Sequence, residues 1–173
     1  GGGFRNTITH GGTSFIGGGH FNTIEMAFPS LDTSITQYAS IIAGQLNKIQ
    51  NANYATIGGG SENEITSGSS RASILGGASN KITATATGDP GTYPFFGGGG
   101  GGSTGASIVG GFENLITGIG EASEYSFIGG GFQSEILSSV YSAVIGGREN
   151  QVSSSDYGVA VGGRNNKVIN AVV

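Results

Sequence analysis

The chain has no cysteine and no tryptophan, three prolines, and seven Lys and Arg against eleven Asp and Glu in 173 residues. Without cysteine there is no disulfide framework and no thiolate metal site. Charged residues make up 10% of the chain, where about a quarter is usual. The net charge is −4 and the cations stand singly, so the footprint of a nucleic-acid binder is missing. No apolar run reaches the ~18 residues of a membrane helix, so no membrane insertion of this segment is expected. Catalytic signatures are equally thin. The two histidines, His10 and His20, lack a second-His spacing tied to carboxylates. "GGGGGGST" at 97–104 has no lysine to reach a phosphate. Glu62 and Glu64 are near each other because they flank Asn63 on an outer surface. Asp32, Asp89 and Asp156 are too few for a calcium-binding nonapeptide array, which needs an Asp in each copy. The expectation is therefore no enzyme, no cofactor and no metal.

What the chain has is glycine, 36 residues or about three times the usual share. It clusters in pairs and triplets, not at the every-third spacing of collagen. One phrase recurs: "SFIGGGHFNTI" at 14–24, "ATIGGGSENEI" at 55–65, "ASILGGASNKI" at 72–82 and "SAVIGGRENQV" at 142–152. Nine copies align on Asn6, Asn22, Asn47, Asn63, Asn80, Asn114, Ser134, Asn150 and Asn166, with a base period of 16. Three places earlier stands glycine in every copy: Gly3, Gly19, Gly44, Gly60, Gly77, Gly111, Gly131, Gly147 and Gly163. Two places after the Asn position the residue is always Ile or Val, and six places before it an aliphatic column runs from Ile16 to Ala160. Eight places before it the residue is small, from Ser14 to Gly158.

A 16-residue period is too short for two packed helices, and the Gly pairs would break them. It suits two short parallel strands and their turns. The first strand is expected to span about four residues and end in an aliphatic pair such as Ile41-Ile42 or Val144-Ile145. Adjacent strand residues face opposite ways, so one of each pair fills the coil and the other needs cover from outside. The second strand alternates polar and apolar, as in Asn-Lys-Ile or Asn-Glu-Ile. The fold class is thus all-β, a parallel β-solenoid or β-roll of nine or ten coils, roughly 45 Å long at ~4.8 Å per coil. One coil buries only three or four sizeable apolar residues, few for the 16 residues it must order. A lone stack is marginal by that count, and a homotrimer that hides one stripe per chain is the economical remedy.

The Gly and Asn residues are read as corners, the Asn side chain bonding its own turn and stacking in an amide ladder; a ligand row is the alternative. Tyr38, Tyr54, Tyr125, Tyr141 and Tyr157 fall nine places before the Asn position. They read either as a stabilising aromatic ladder or as a row of sugar-stacking rings. A single domain of residues 1–173 is expected, with insertions at about 25–37, 83–105 and 117–124. Phe28, Leu31, Tyr93, Phe95 and Phe96 in the first two would touch a ligand or a neighbouring chain.

These columns resemble the head repeats of trimeric autotransporter adhesins, the YadA-type β-roll, on Ser14 to Asn22, Ala55 to Asn63, Ala72 to Asn80, Ala106 to Asn114 and Ser142 to Asn150. Similar repeats occur in viral and phage fibres. The resemblance implies a left-handed roll in a homotrimer, displayed extracellularly on a cell or virion surface. This chain departs from the family in placing Ile or Val after the Asn where Ala is frequent. The expectation is a structural fibre or fibre head serving adhesion, with self as partner in a trimer or an end-to-end filament. Both ends stop inside the repeat, so the stack is expected to continue beyond them. A receptor- or glycan-binding tip using the inserted loops is the second reading. A solenoid lyase acting through Asp32 or Asp89 is a third.

Overall fold

The computed structural model describes residues 2–9, 12–25, 38–66, 69, 71–85, 103, 105–119 and 123–170. Every described element is a β-strand, and every pairing is parallel. A nine-stranded sheet holds β1 (Thr7–Thr9), β3 (Thr23–Glu25), β5 (Lys48–Gln50), β7 (Glu64–Thr66), β9 (Lys81–Thr85), β11 (Leu115–Ile119), β13 (Glu135–Leu137), β15 (Gln151–Ser153) and β17 (Lys167–Ile169). An eight-stranded sheet holds β2 (Phe15–Ile16), β4 (Ser40–Ile41), β6 (Thr56–Ile57), β8 (Ser73–Ile74), β10 (Ser107–Ile108), β12 (Phe127–Ile128), β14 (Ala143–Val144) and β16 (Val159–Ala160). Strands alternate between the sheets along the chain, which makes the fold a β-solenoid. Isolated bridges running from Phe4 and His20 to Arg148 and Arg164 form a third line of contact along the stack. Eight steps of ~4.8 Å across the larger sheet give a length of roughly 38 Å.

Register follows the sequence columns. Ile24 pairs with Ile49, Ile49 with Ile65, and Ile65 with Ile82. Ile41, Ile57, Ile74 and Ile108 pair in the other sheet. These side chains point inward, are fully buried, and form one continuous core with the small residues Ala39, Ala55, Ala72 and Ala106. The first strand of each coil is two residues long, not the four expected. The chain turns directly after it into the glycine corner, so the second aliphatic of each pair lies beyond the strand, on the outside.

The corner is held by asparagine. Asn63 Nδ2 donates to the carbonyls of Gly59 in its own turn and Gly77 in the next coil, both at 3.0 Å. Its Oδ1 accepts from the backbone N–H and the Nδ2 of Asn80, at 3.1 and 3.0 Å. Asn47, Asn80 and Asn114 make the same pattern of bonds to turn carbonyls, and all are buried. The glycine three places earlier exists for close stacking. Gly60 has φ +89°, and a Cβ there would sit 2.1 Å from the Gly77 carbonyl oxygen. Ser134 breaks the ladder. Its N–H still reaches Asn114 Oδ1 at 3.0 Å, but its hydroxyl is a buried polar atom without a hydrogen-bond partner among the described residues.

Further left-handed corners fall on residues other than glycine. The residue before the Asn position has φ between 52° and 58°, whether it is Phe21, Leu46, Glu62 or Gln133. The tyrosine column shares this conformation, and so do Asn51, Ser138 and Ser154. The reason is backbone pairing. Strand amides donate to the following coil, as Ser40 N–H does to Ala55 O and Thr56 N–H to Ala72 O. The corner amides donate backwards, as Leu46 N–H does to His20 O, Tyr141 N–H to Glu124 O and Ser154 N–H to Leu137 O, at 2.9–3.0 Å. The left-handed turn reverses the peptide and satisfies groups that would otherwise be buried unpaired. Each such residue costs about 1–2 kcal/mol against a right-handed conformation.

Candidate functional site

The outward faces of the two sheets differ in chemistry. On the nine-stranded sheet, charged and polar side chains pair along the rod. Lys48 Nζ lies 2.9 Å from Glu25 Oε1 and Lys81 Nζ 2.7 Å from Glu64 Oε2. Gln151 donates to Glu135 at 2.8 Å, and Thr66 to Thr83 at 2.9 Å. Much of this face is thus paired within the chain, with the apolar Leu115, Leu137 and Ile169 interspersed in the outward columns.

The eight-stranded sheet carries no charged residue on its outer face. Two columns point out, at the strand's first residue and at the residue just past its end. Phe15, Ile42, Leu75, Val109, Phe127, Ile145, Val159 and Val161 stand there, from 38% exposed at Phe127 to 71% at Val161. The remaining outward positions are Ser40, Thr56, Ser73, Ser107, Ala143 and glycines. Size is balanced within most levels. Small Ser40, Ser73, Ser107 and Ala143 accompany Ile42, Leu75, Val109 and Ile145. Large Phe15 and Phe127 accompany Gly17 and Gly129, and their rings lie so close over these glycines that an added Cβ would meet them at 3.1 and 3.2 Å. Six of the eight levels are balanced in this way; the Thr56–Gly58 level carries no large apolar side chain and the Val159–Val161 level carries two, so the apolar strip dips at β6 and rises at β16. Contiguous exposed apolar surface of this kind marks an interaction face.

The tyrosines form two stacks. Tyr38 and Tyr54 lie 5.2 Å apart between ring centroids at 11°, with the Arg71 guanidinium 6.0 Å from the Tyr54 ring. Tyr125, Tyr141 and Tyr157 follow at 5.3 and 5.4 Å, at 8° and 9°. Arg71 and Gly105 occupy the column between the stacks. Rings this close and this parallel cover one another's faces, so sugar rings cannot lie on the inner faces of either stack, and the exposed chemistry is ring edges and hydroxyls. A third line carries Phe112 stacked on Phe132 at 5.5 Å, with Arg148 5.0 Å from the Phe132 ring. Beside it, the hydrogen bond from Arg148 at 2.7 Å, helped by the nearby charge of Arg164, holds the Glu149 carboxyl below its ordinary range.

No family model matches this chain, and no curated protein does.

Among the described residues no group of three or more His, Cys, Asp or Glu could hold a metal ion, and no helix is long and apolar enough to cross a membrane. The corner residues Gly19, Gly44, Gly60, Gly77, Gly111, Gly131, Gly147 and Gly163, with Asn22, Asn47, Asn63, Asn80, Asn114, Asn150 and Asn166, align along one edge of the stack. Phe28, Leu31, Tyr93, Phe95 and Phe96 lie outside the described residues, as do Asp32 and Asp89. The flanks of the insertions are described. β3, β9 and β11 all belong to the nine-stranded sheet, so the three longest insertions follow strands of one sheet. β9 and β11 run two residues longer than their neighbours and stay paired to Thr85 and Ile119, inside the stretches expected to be insertions.

One ladder is not among the sequence columns recognised above. Ser69, Ser103, Ser123, Ser139 and Ser155 are buried eleven places before each Asn position, with Ala52 in the same column. Ser139 Oγ donates to Leu137 O at 2.7 Å and accepts from Ser155 N–H at 3.0 Å. Ser142 Oγ, in the next column, donates to Ser155 O at 2.6 Å and accepts from Gly158 N–H at 3.0 Å. Counting back from the Asn ahead aligns the column; counting forward loses it, because the insertions intervene.

Proposed function

We propose that this protein is a structural fibre segment or fibre head: a self-associating β-solenoid displayed outside a cell or on a virion, where it serves adhesion. The observation that carries this reading is the uncharged apolar strip on the eight-stranded sheet. A strip of roughly 34 by 10 Å removes about 700 Å² in a two-chain contact, short of the ~1,200 Å² at the lower end of stable complexes. Three chains around one axis let each strip meet two neighbours and draw the flanking corners into contact, which favours a homotrimer. One large and one small side chain at six of the eight levels suits parallel copies held in register. The resemblance to YadA-type adhesin heads and to viral fibres points the same way, and extends to a left-handed roll.

The test is the mass of the particle in solution. Sedimentation equilibrium on the wild type is expected to give three chains per particle, and negative-stain images to show slender rods. Leu75→Lys with Ile145→Lys is expected to give monomers with an unchanged β circular-dichroism spectrum. A wild type that stays monomeric at micromolar concentration would overturn the proposal.

A second reading, a receptor- or glycan-binding tip, is favoured by one observation: the insertions after Glu25, Thr85 and Ile119 follow strands of the same sheet. Deleting residues 86–102 separates the two. Lost attachment with intact rods supports a tip, and lost rods support a purely structural role.

A further inference from the structure

We propose that the stacked tyrosines are an oxidative modification site at which neighbouring rings join by a carbon–carbon bond, stapling successive coils of one chain. Dityrosine coupling needs two phenols close together, exposed to an oxidant, and without a better electron donor nearby. Tyr125, Tyr141 and Tyr157 meet the first condition with centroids 5.3 and 5.4 Å apart and planes within 9°. All three are more than half exposed, from 52% to 62%. The chain has no cysteine and no tryptophan and a single methionine, so the oxidising equivalent has few sinks other than tyrosine. Tyr38 and Tyr54 form an independent second site, 5.2 Å apart.

The oxidant is a one-electron one, a haem peroxidase with hydrogen peroxide. Each phenol loses one electron and one proton. The two phenoxyl radicals combine between ring carbons ortho to the hydroxyls, and the two displaced ring protons move to the oxygens to restore the phenols. Per link the protein loses two hydrogen atoms, and one hydrogen peroxide is reduced to two waters. The terminal torsion of tyrosine is broad and two-fold, so the exposed rings can turn their ortho edges toward one another from the stacked arrangement. Because the stacked residues belong to consecutive coils, each link closes a short loop in the chain without altering the backbone pairing. The staple would fix the tyrosine edge of a rod exposed to oxidising surroundings.

The experiment treats the whole chain with peroxidase and peroxide, followed by dityrosine fluorescence, denaturing electrophoresis and peptide mass mapping. The expected product runs at single-chain mass, has lost two hydrogens per link, and maps to 38–54 and to either 125–141 or 141–157. Tyr141→Phe keeps the stacking and is expected to cut links in the triplet at least ten-fold while the 38–54 link persists as an internal control. Tyr54→Phe is expected to do the reverse. The proposal is overturned if links form mainly between chains, if Tyr93 couples as readily as the stacked rings, or if fluorescence is unchanged in the Tyr54→Phe, Tyr141→Phe double variant.

Discussion

Ser134→Asn should stabilise the protein. At this level of the ladder the serine hydroxyl is buried without a partner, while the adjoining coils carry asparagine in matching surroundings. Asn150, one coil on, shows what an amide does there. Its Nδ2 donates to Gly146 O at 2.7 Å and Gly163 O at 3.2 Å, and its Oδ1 accepts from Asn166 N–H and Nδ2 at 3.0 and 3.1 Å. An asparagine at 134 would make the equivalent four bonds, to Gly130 O and Gly147 O and from both donors of Asn150. At about 1 kcal/mol net each, less about 1 kcal/mol for ordering the side chain, the gain is about 2–4 kcal/mol. For a chain of this length that is a rise of roughly 5–12 °C in Tm. The assay is calorimetry, with native-state hydrogen exchange at the Asn150 amide, which should slow because it gains an acceptor. Coils couple to their nearest neighbours, so the slowing should centre on residues 134–150. An unchanged or lower Tm would refute the reasoning: the asparagine column would then satisfy the shape of the corner without adding stability.

Gly60→Ala should be severely destabilising, by more than about 4 kcal/mol, because φ +89° combines with a Cβ 2.1 Å from the Gly77 carbonyl; Gly76→Ala, where nothing lies within 4 Å, should be nearly neutral in the same melting series. Glu64→Gln removes a surface pair with Lys81 whose side chains are 29% and 45% exposed, so thermal melts should move by no more than the equivalent of about 0.5 kcal/mol. Glu149 has its carboxyl lowered, first by the Arg148 hydrogen bond, which desolvation opposes, and then by the charges of Arg164 and Arg148. A lowered carboxylate contributes above its unfolded value and loses that contribution as pH falls through the folded one. Melts of wild type and Glu149→Gln should therefore differ slightly at neutral pH and converge below pH 4.5.

The Gly, Asn and Ile columns were legible because each answers a demand with few solutions. The corner needs a residue without a Cβ, the amide ladder a side chain that both donates and accepts, and the interior a compact aliphatic. The left-handed corners at Phe21, Leu46, Glu62 and Gln133 were not legible, because their requirement is met by backbone pairing and the side chain, lying on the outside, can be of any type. The serine ladder was hidden by insertions that shift its distance from the preceding asparagine. Strand length was overestimated because an aliphatic pair looks the same whether its second member continues a strand or caps an outer strip. The strip itself could be read, since Ile42, Leu75 and Ile145 had no interior left to fill.

The pairing of Ser73 with Ser107 has a practical consequence. Between Asn80 and Asn114 the chain adds 18 residues to its 16-residue period, yet the register on either side is the one found at every other level. Doubling the length of a connection costs only about 0.6 kcal/mol of closure entropy. A foreign peptide grafted after Thr85 would be carried as cargo at a chosen height on a ruler marked every ~4.8 Å, and the graduations above and below it would keep their places.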